Sequence, residues 1–276
     1  MTSFKNIFGQ MAKVKVRSIY LLILIQLVTS IIIAIWALLS GFSGFKGQDK
    51  LMAWFIFMLT LMPFIDIAYV FISSRQNEKE FDSQTWRLIP VSSSNFYIAN
   101  ISSSIVNGLY LVVLQLIMGF ISFLPALFDH NVRFSFWQLG NVMGKEASSG
   151  NLWSKFNDTF PVGLILSEFV NFLLFAFLVY SIVATIDLSS KTIMDFLPEK
   201  HSKFFRAVII LVLVLILIVA SGNIMHLIYQ FDPANILTGQ IRSYSSVWFS
   251  NLFLLMFSIV FSGINVWLLE KYHESK

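Results

Sequence analysis

Cysteine is absent from the 276 residues, so the chain can form no disulfide and offers no thiolate to a metal. Charge is scarce as well: Asp, Glu, Lys and Arg make up 12% of the residues, about half of what an average soluble domain carries. There is no G-x-x-x-x-G-K-[ST] run to cradle a nucleotide phosphate and no H-E-x-x-H to hold zinc on a helix. The histidines, His130, His201, His226 and His273, fall in loops or at expected helix ends, and no Glu-Glu or Asp-Asp pair lies inside an apolar segment. These absences argue against catalysis at bilayer depth and against a nucleotide site in this chain. No internal repeat, low-complexity tract or second domain is visible.

What the sequence has is apolar length. Hydrophobic residues make up 57% of it, and the mean hydropathy is +0.75. A hydrocarbon core about 30 Å thick takes roughly 20 helical residues to cross. Six stretches qualify: Ser18–Ser40, Leu51–Ile72, Phe96–Phe128, Pro161–Ile186, Ala207–Met225 and Tyr244–Leu269. The expected fold is an all-α integral membrane protein, one domain of six transmembrane helices over residues 1–276. The first stretch follows seventeen residues of mixed polarity and has no persuasive small-residue cleavage site after it, so it reads as a retained helix.

The net charge of +4 is a topology signal and carries no hint of nucleic acid. With the N-terminus inside, the inner segments hold Lys5, Lys13, Lys15, Arg17, Arg75, Lys79, Arg87, Lys191, Lys200, Lys203, Arg206, Lys271 and Lys276. The outer loops hold Lys46, Lys50, Arg133, Lys145, Lys155 and Arg242. Thirteen against six places both termini in the cytoplasm of a cell membrane, a bacterial one on this reading. The opening "FKNIFGQMAKVKVR" sets Phe4, Ile7, Phe8 and Met11 on one helical face, with Lys5, Gln10 and Lys13 away from it. Residues 1–17 are therefore expected to form an amphipathic helix lying among the lipid headgroups. Residues 126–160 form the longest external loop, where Phe134, Phe136, Trp137 and Trp153 suit interfacial anchors.

Carboxylates inside membrane helices are rare and face other protein. Asp66 lies in the inner half of the second apolar stretch, after Pro63, and Glu168 with Asn171 in the outer half of the fourth. They are candidates for a transport path or gate at separate depths, or for structural residues at helix interfaces. In the third stretch, "NISSSIVNG" offers small and polar residues for close helix approach.

Between the second and third stretches runs the polar passage "EKEFDSQTWRLIPVSSSNFYIAN", Glu78–Asn100. The residue before a proline avoids the helical region, so Ile89-Pro90 ends a first helix, while Ser92, Ser93 or Ser94 can cap the next. The result is a helix-turn-helix elbow spanning residues 74–95 at the cytoplasmic face. Phe81, Trp86 and Leu88 are too large and apolar to stand exposed there; they pack on lipid headgroups, on the N-terminal helix, or on a cytoplasmic partner.

In this passage the chain resembles the permease subunits of ABC-2 type transporters. Their loop between helices 2 and 3 commonly shows an acidic residue, a Thr, a Leu pair and "P-[VI]-S"; here stand Glu80 or Asp82, Thr85, Leu88-Ile89 and Pro90-Val91-Ser92. The chain departs from the pattern with Ser93 or Ser94 where a basic residue is frequent and Asn100 where a lysine is frequent. The resemblance covers the whole topology but only this one degenerate local motif. It implies a coupling helix that docks on an ATPase subunit through Glu80, Phe81, Asp82, Trp86, Arg87 and Leu88. It also implies a second permease copy or homologue, and ATP with Mg bound by the ATPase dimer and no cofactor in this chain. The cargo would be an amphipathic peptide or lipid-like molecule moved outward, for export or for self-protection against antimicrobial peptides. Two other readings compete: a secondary transporter, for which only Asp66 and Glu168 could couple an ion, and a non-transporting immunity or scaffold protein.

Overall fold

The computed structural model describes residues 4–40, 47–83, 91–128, 130, 132–134, 137–138, 140–141, 162–195, 208–212, 215 and 244–272. These residues are almost wholly helical. The long elements are α1 (Phe4–Leu39), α2 (Ala53–Asp82), α3 (Ser93–Phe123), α4 (Val162–Asp195) and α5 (Tyr244–Tyr272). A 3₁₀ segment, Gly47–Met52, leads into α2, and another, Leu124–Phe128, extends α3. All five helices are long and apolar enough to cross a membrane. Five of the six expected stretches therefore coincide with described helices, Pro161 at the start of the fourth lying outside the described residues. Of Ala207–Met225, residues 208–212 and 215 are described, as helix, and the rest lies outside the described residues.

Two expectations need correction. Residues 1–17 are not a separate interfacial helix: α1 runs unbroken for 36 residues from Phe4, because nothing between Gln10 and Ser18 is a proline or glycine that would end it. Likewise α2 does not stop near Ile72 but continues to Asp82, 30 residues and about 45 Å long at 1.5 Å per residue, although Pro63 lies within it.

The chain forms two compact units. One comprises residues 10–73 and 106–160, the other residues 1–9, 74–105 and 161–276, so α1, α2 and α3 each contribute a part to both.

In the first unit, α1 buries Met11, Lys15, Ile19, Leu22, Gln26 and Ser30 at spacings of three and four, one helical face. Ile19 and Leu22 pack with Ile65 and Tyr69 of α2 and Leu111 of α3. Polar bonds fix the register: the Gln26 amide donates to the Met58 carbonyl at 3.3 Å, the Trp54 indole N–H to the Ser30 hydroxyl at 3.2 Å, and the Gln115 amide to the Gln26 side-chain oxygen at 3.3 Å. Rising numbers on α1 meet falling numbers on α2 and rising numbers on α3. α1 is thus antiparallel to α2 and parallel to α3. Outward-facing positions such as Leu24, Phe64, Leu116 and Phe120 are large and exposed, as the lipid-facing surface of a membrane bundle requires.

In the second unit, the end of α2 and the start of α3 pack with α4 and α5. Phe81, Tyr97, Ile101, Tyr180, Ala184, Leu188, Leu268 and Leu269 form its core. The Asn251 amide donates to the Ser167 carbonyl at 3.1 Å, and further along both helices the Asn265 amide donates to the Ser181 carbonyl at 2.8 Å. α4 and α5 therefore run parallel. Asp82 meets Lys191, and Ser74 to Phe81 face Tyr180 to Ala184, so α2 also ends at the same end as α4.

Candidate functional site

The ends of α2, α4 and α5 gather with the beginning of α3, where the elbow is inserted. α2 closes with the Ser83 N–H on the Glu80 carbonyl at 3.3 Å. α3 opens on Ser92, whose hydroxyl accepts from the Asn95 N–H at 3.4 Å and whose carbonyl accepts from the Phe96 N–H at 3.0 Å. This is the expected serine cap, and it satisfies a donor that the first turn would leave bare.

Of the residues expected to dock an ATPase, Trp86, Arg87 and Leu88 lie outside the described residues. The other three divide by environment. Phe81 is 1% exposed: its ring stacks on Tyr97 at 6.0 Å between centroids and meets Phe96 edge-on at 5.9 Å. Glu80 is buried too. Asp82 is half exposed, and both its carboxylate oxygens accept from the Lys191 ammonium at 2.8 Å. The same ammonium donates to Asp187, whose side chain is only 4% exposed. An acidic residue in the last turn of a helix opposes the helix dipole. Lys191 offsets that at Asp82 and straps the end of α2 to α4.

Above this foot lies a polar layer. The Tyr97 hydroxyl donates to the Ser181 hydroxyl at 3.1 Å, Asn265 donates to the Tyr97 oxygen at 2.9 Å, and the Ser181 and Ser262 hydroxyls lie 3.4 Å apart. On α2 and α3, the Asn100 amide donates to the Asn77 carbonyl at 3.1 Å and the Ser104 hydroxyl to the Asn77 side-chain oxygen at 2.8 Å. Asn251, Ser258 and Asn265 recur every seventh residue on one buried face of α5, the spacing at which a helix presents one face to its neighbour. Such bonds hold helices together where lipid provides no hydrophobic drive between them, at about 0.6 kcal/mol each. A cleft with room for a single water lies among Ser74, Asn77, Glu78, Phe81, Tyr180, Val183 and Ala184.

Asp66 and Glu168 belong to different units. Asp66 is half-buried on α2, near the Gln115 side chain of α3. Glu168 is half-buried on α4, and one turn on the Asn171 amide donates to the Ser250 hydroxyl at 3.4 Å. Among the described residues, no group of three or more His, Asp and Glu could hold a metal ion.

Several buried polar residues were not anticipated, among them Gln26, Asn77, Gln115, Asn251 and Asn265, and one of them is charged. Lys15, counted with the cytoplasmic charges, is fully buried. The signal was in its spacing, since it falls between Met11 and Ile19 on the apolar stripe of α1.

The sequence matches no family model, and comparison with curated proteins and with solved structures gives no match either.

Proposed function

We propose that this chain is the membrane-spanning permease subunit of an ATP-driven exporter of the ABC-2 type, moving an amphipathic peptide or lipid-like cargo with ATP hydrolysed on a partner ATPase. The observation that carries the reading is the anchorage of the α2–α3 elbow. Its two stems are fixed by Phe81 between Phe96 and Tyr97, by the Asn77 bonds to Asn100 and Ser104, and by the Lys191 strap to α4. A push on residues 83–92 would be delivered to α2, α3 and α4 together, because neither stem can yield without the helix it is bonded to. On this reading Phe81 and Glu80 brace the elbow from within, Asp82 presents a half-exposed carboxylate, and Trp86, Arg87 and Leu88 are the residues that touch the ATPase.

The six-helix topology of such a permease is supported by the direction of α4 and α5. Parallel neighbours in a membrane require the 48 residues between them, 196–243, to recross the bilayer. Within that segment Ala207–Met225 supplies a charge-free run long enough to do so, and its described residues 208–212 are helical. The ends of α2, α4 and α5 then share the cytoplasmic face, where Lys79, Lys191 and Lys271 lie.

The test is purification of the chain from its native membrane and assay of co-purifying ATPase activity. Wild type should carry a P-loop ATPase whose hydrolysis responds to cargo. Trp86→Ala should lose that ATPase while still inserting, because interface anchors typically cost over about 2 kcal/mol when truncated. An ATPase retained at wild-type level by Trp86→Ala, or absent from wild type, defeats the proposal.

A further inference from the structure

The first unit carries an exposed feature that the exporter reading does not use. Tyr20 of α1 and Tyr110 of α3 are 55% and 36% exposed, their hydroxyls lie 3.2 Å apart, and their rings meet edge to face at 6.3 Å. Each hydroxyl has one proton to donate. The bond between them uses one, so the other O–H has no acceptor among the described residues. A hydroxyl facing hydrocarbon with its donor unmet is costly, and the acceptors available at that depth are lipid phosphate and ester oxygens.

Arg17 and Lys13 precede Tyr20 by three and seven residues on α1, so all three share one face of the helix. That face is turned away from the buried stripe of Met11, Lys15, Ile19 and Leu22, and both cations are exposed. Neither makes an ion pair among the described residues. Ser18 begins the charge-free run of α1, and on α3 the apolar half of the long stretch begins at Leu109, after the polar Asn107; taken together these put Arg17 at the headgroup boundary and the tyrosine hydroxyls just inside it. Beyond the pair, Leu24 and Val28 of α1 and Val113 and Ile117 of α3 are exposed and apolar, and the two helices run parallel, so their side chains border a continuous lipid-facing furrow.

We propose that Lys13, Arg17, Tyr20 and Tyr110 clamp the phosphate of one anionic phospholipid, whose acyl chain lies along the α1–α3 furrow. The guanidinium and the free tyrosine O–H supply directed donors to the phosphate oxygens. Lys13 supplies charge at the outer edge. The occupant is anionic because a zwitterionic lipid would bring its ammonium group up against Lys13 and Arg17, whereas a phosphatidylglycerol headgroup adds only hydroxyls.

Native mass spectrometry of the full chain in detergent, with phosphatidylglycerol or phosphatidylcholine added, tests the assignment. Wild type should retain phosphatidylglycerol in preference to phosphatidylcholine. Loss of a hydrogen bond to a charged group should lower phosphatidylglycerol retention about tenfold in Arg17→Gln, and the double variant Tyr20→Phe/Tyr110→Phe should lower it several-fold. Phosphatidylcholine retention should be the same in all. These substitutions lie on the exposed face, and an unchanged unfolding midpoint for the phenylalanine pair keeps lipid binding separate from folding. Equal retention of the two lipids by wild type, or undiminished phosphatidylglycerol in both variants, overturns the proposal. Displacement by millimolar inorganic phosphate also overturns it, by showing a phosphate site with no use for the acyl chain.

Discussion

Lys191 is the residue on which the elbow's footing turns, because one ammonium serves two carboxylates of unequal exposure. Asp82 is half exposed, so its pairing alone is worth little, on the order of 0.5 kcal/mol. Asp187 is 4% exposed. Removal of the lysine leaves that carboxylate buried without its cation, a defect that costs about 3 kcal/mol or more. Lys191→Met should therefore lower the unfolding midpoint in detergent far more than Asp82→Asn, and Asp187→Asn added to Lys191→Met should restore part of the loss. Equal midpoints for the two single variants would show that the strap holds nothing. Lys15 illustrates a different limit at this scale. Its position on the stripe was readable, but a lysine there can also snorkel to the headgroups, and only the packing of neighbouring helices decides between the two.

At the scale of the helix, the approach of α2 to α3 rests on a missing side chain. A Cβ on Gly108 would stand 3.2 Å from the Tyr69 ring, and Tyr69 is held among Ile19, Leu22, Ile65 and Leu111, so the ring has nowhere to move. Gly263 on α5 has nothing within 4 Å of its Cβ position. Alanine in an open helical position gains about 1 kcal/mol over glycine; in a closed one, overpacking costs about 1–3 kcal/mol. Gly263→Ala should raise the unfolding midpoint and Gly108→Ala lower it, and midpoints moving in the same direction would refute the close contact. The polar run "NISSSIVNG" was legible as a packing face because small and polar residues inside a membrane helix have few other uses, and Asn100, Ser103, Ser104 and Asn107 are indeed buried. The serine cap of α3 was legible for a similarly local reason. The continuity of α1 and the length of α2 were not. Hydropathy marks where a helix enters lipid, whereas its end is set by breakers and tertiary contacts, and residues 10–17 and 73–82 contain no breaker. The burial of Phe81 was equally hidden, since its partners Phe96 and Tyr97 lie across the elbow and a large apolar residue reads the same whether it faces its own chain or another.

For the whole molecule, the direction of the helices says more than their number. Hydropathy counts the stretch Ala207–Met225 as one of six crossings, and the direction of the helices on either side of it tests that count independently. With α4 and α5 parallel in the second unit, Asn251 bonded near the start of both and Asn265 near the end, an even number of crossings between them would require one helix to be inverted against its own hydrogen bonds. Cysteine is absent, so single introduced cysteines can be labelled in intact cells without background. The positive-inside count puts residues 196–206 in the cytoplasm and 226–243 outside. Ser243→Cys and Ser148→Cys should react with an impermeant thiol reagent, while Ser202→Cys and Ser83→Cys should react only after the membrane is opened. Reaction at Ser202 and Ser83 alone would turn the protein over without disturbing the helix directions. Reaction of Ser202 and Ser243 from the same side would remove the return crossing, and the parallel packing of α4 and α5 with it, which would also take away the shared cytoplasmic face on which the exporter reading depends.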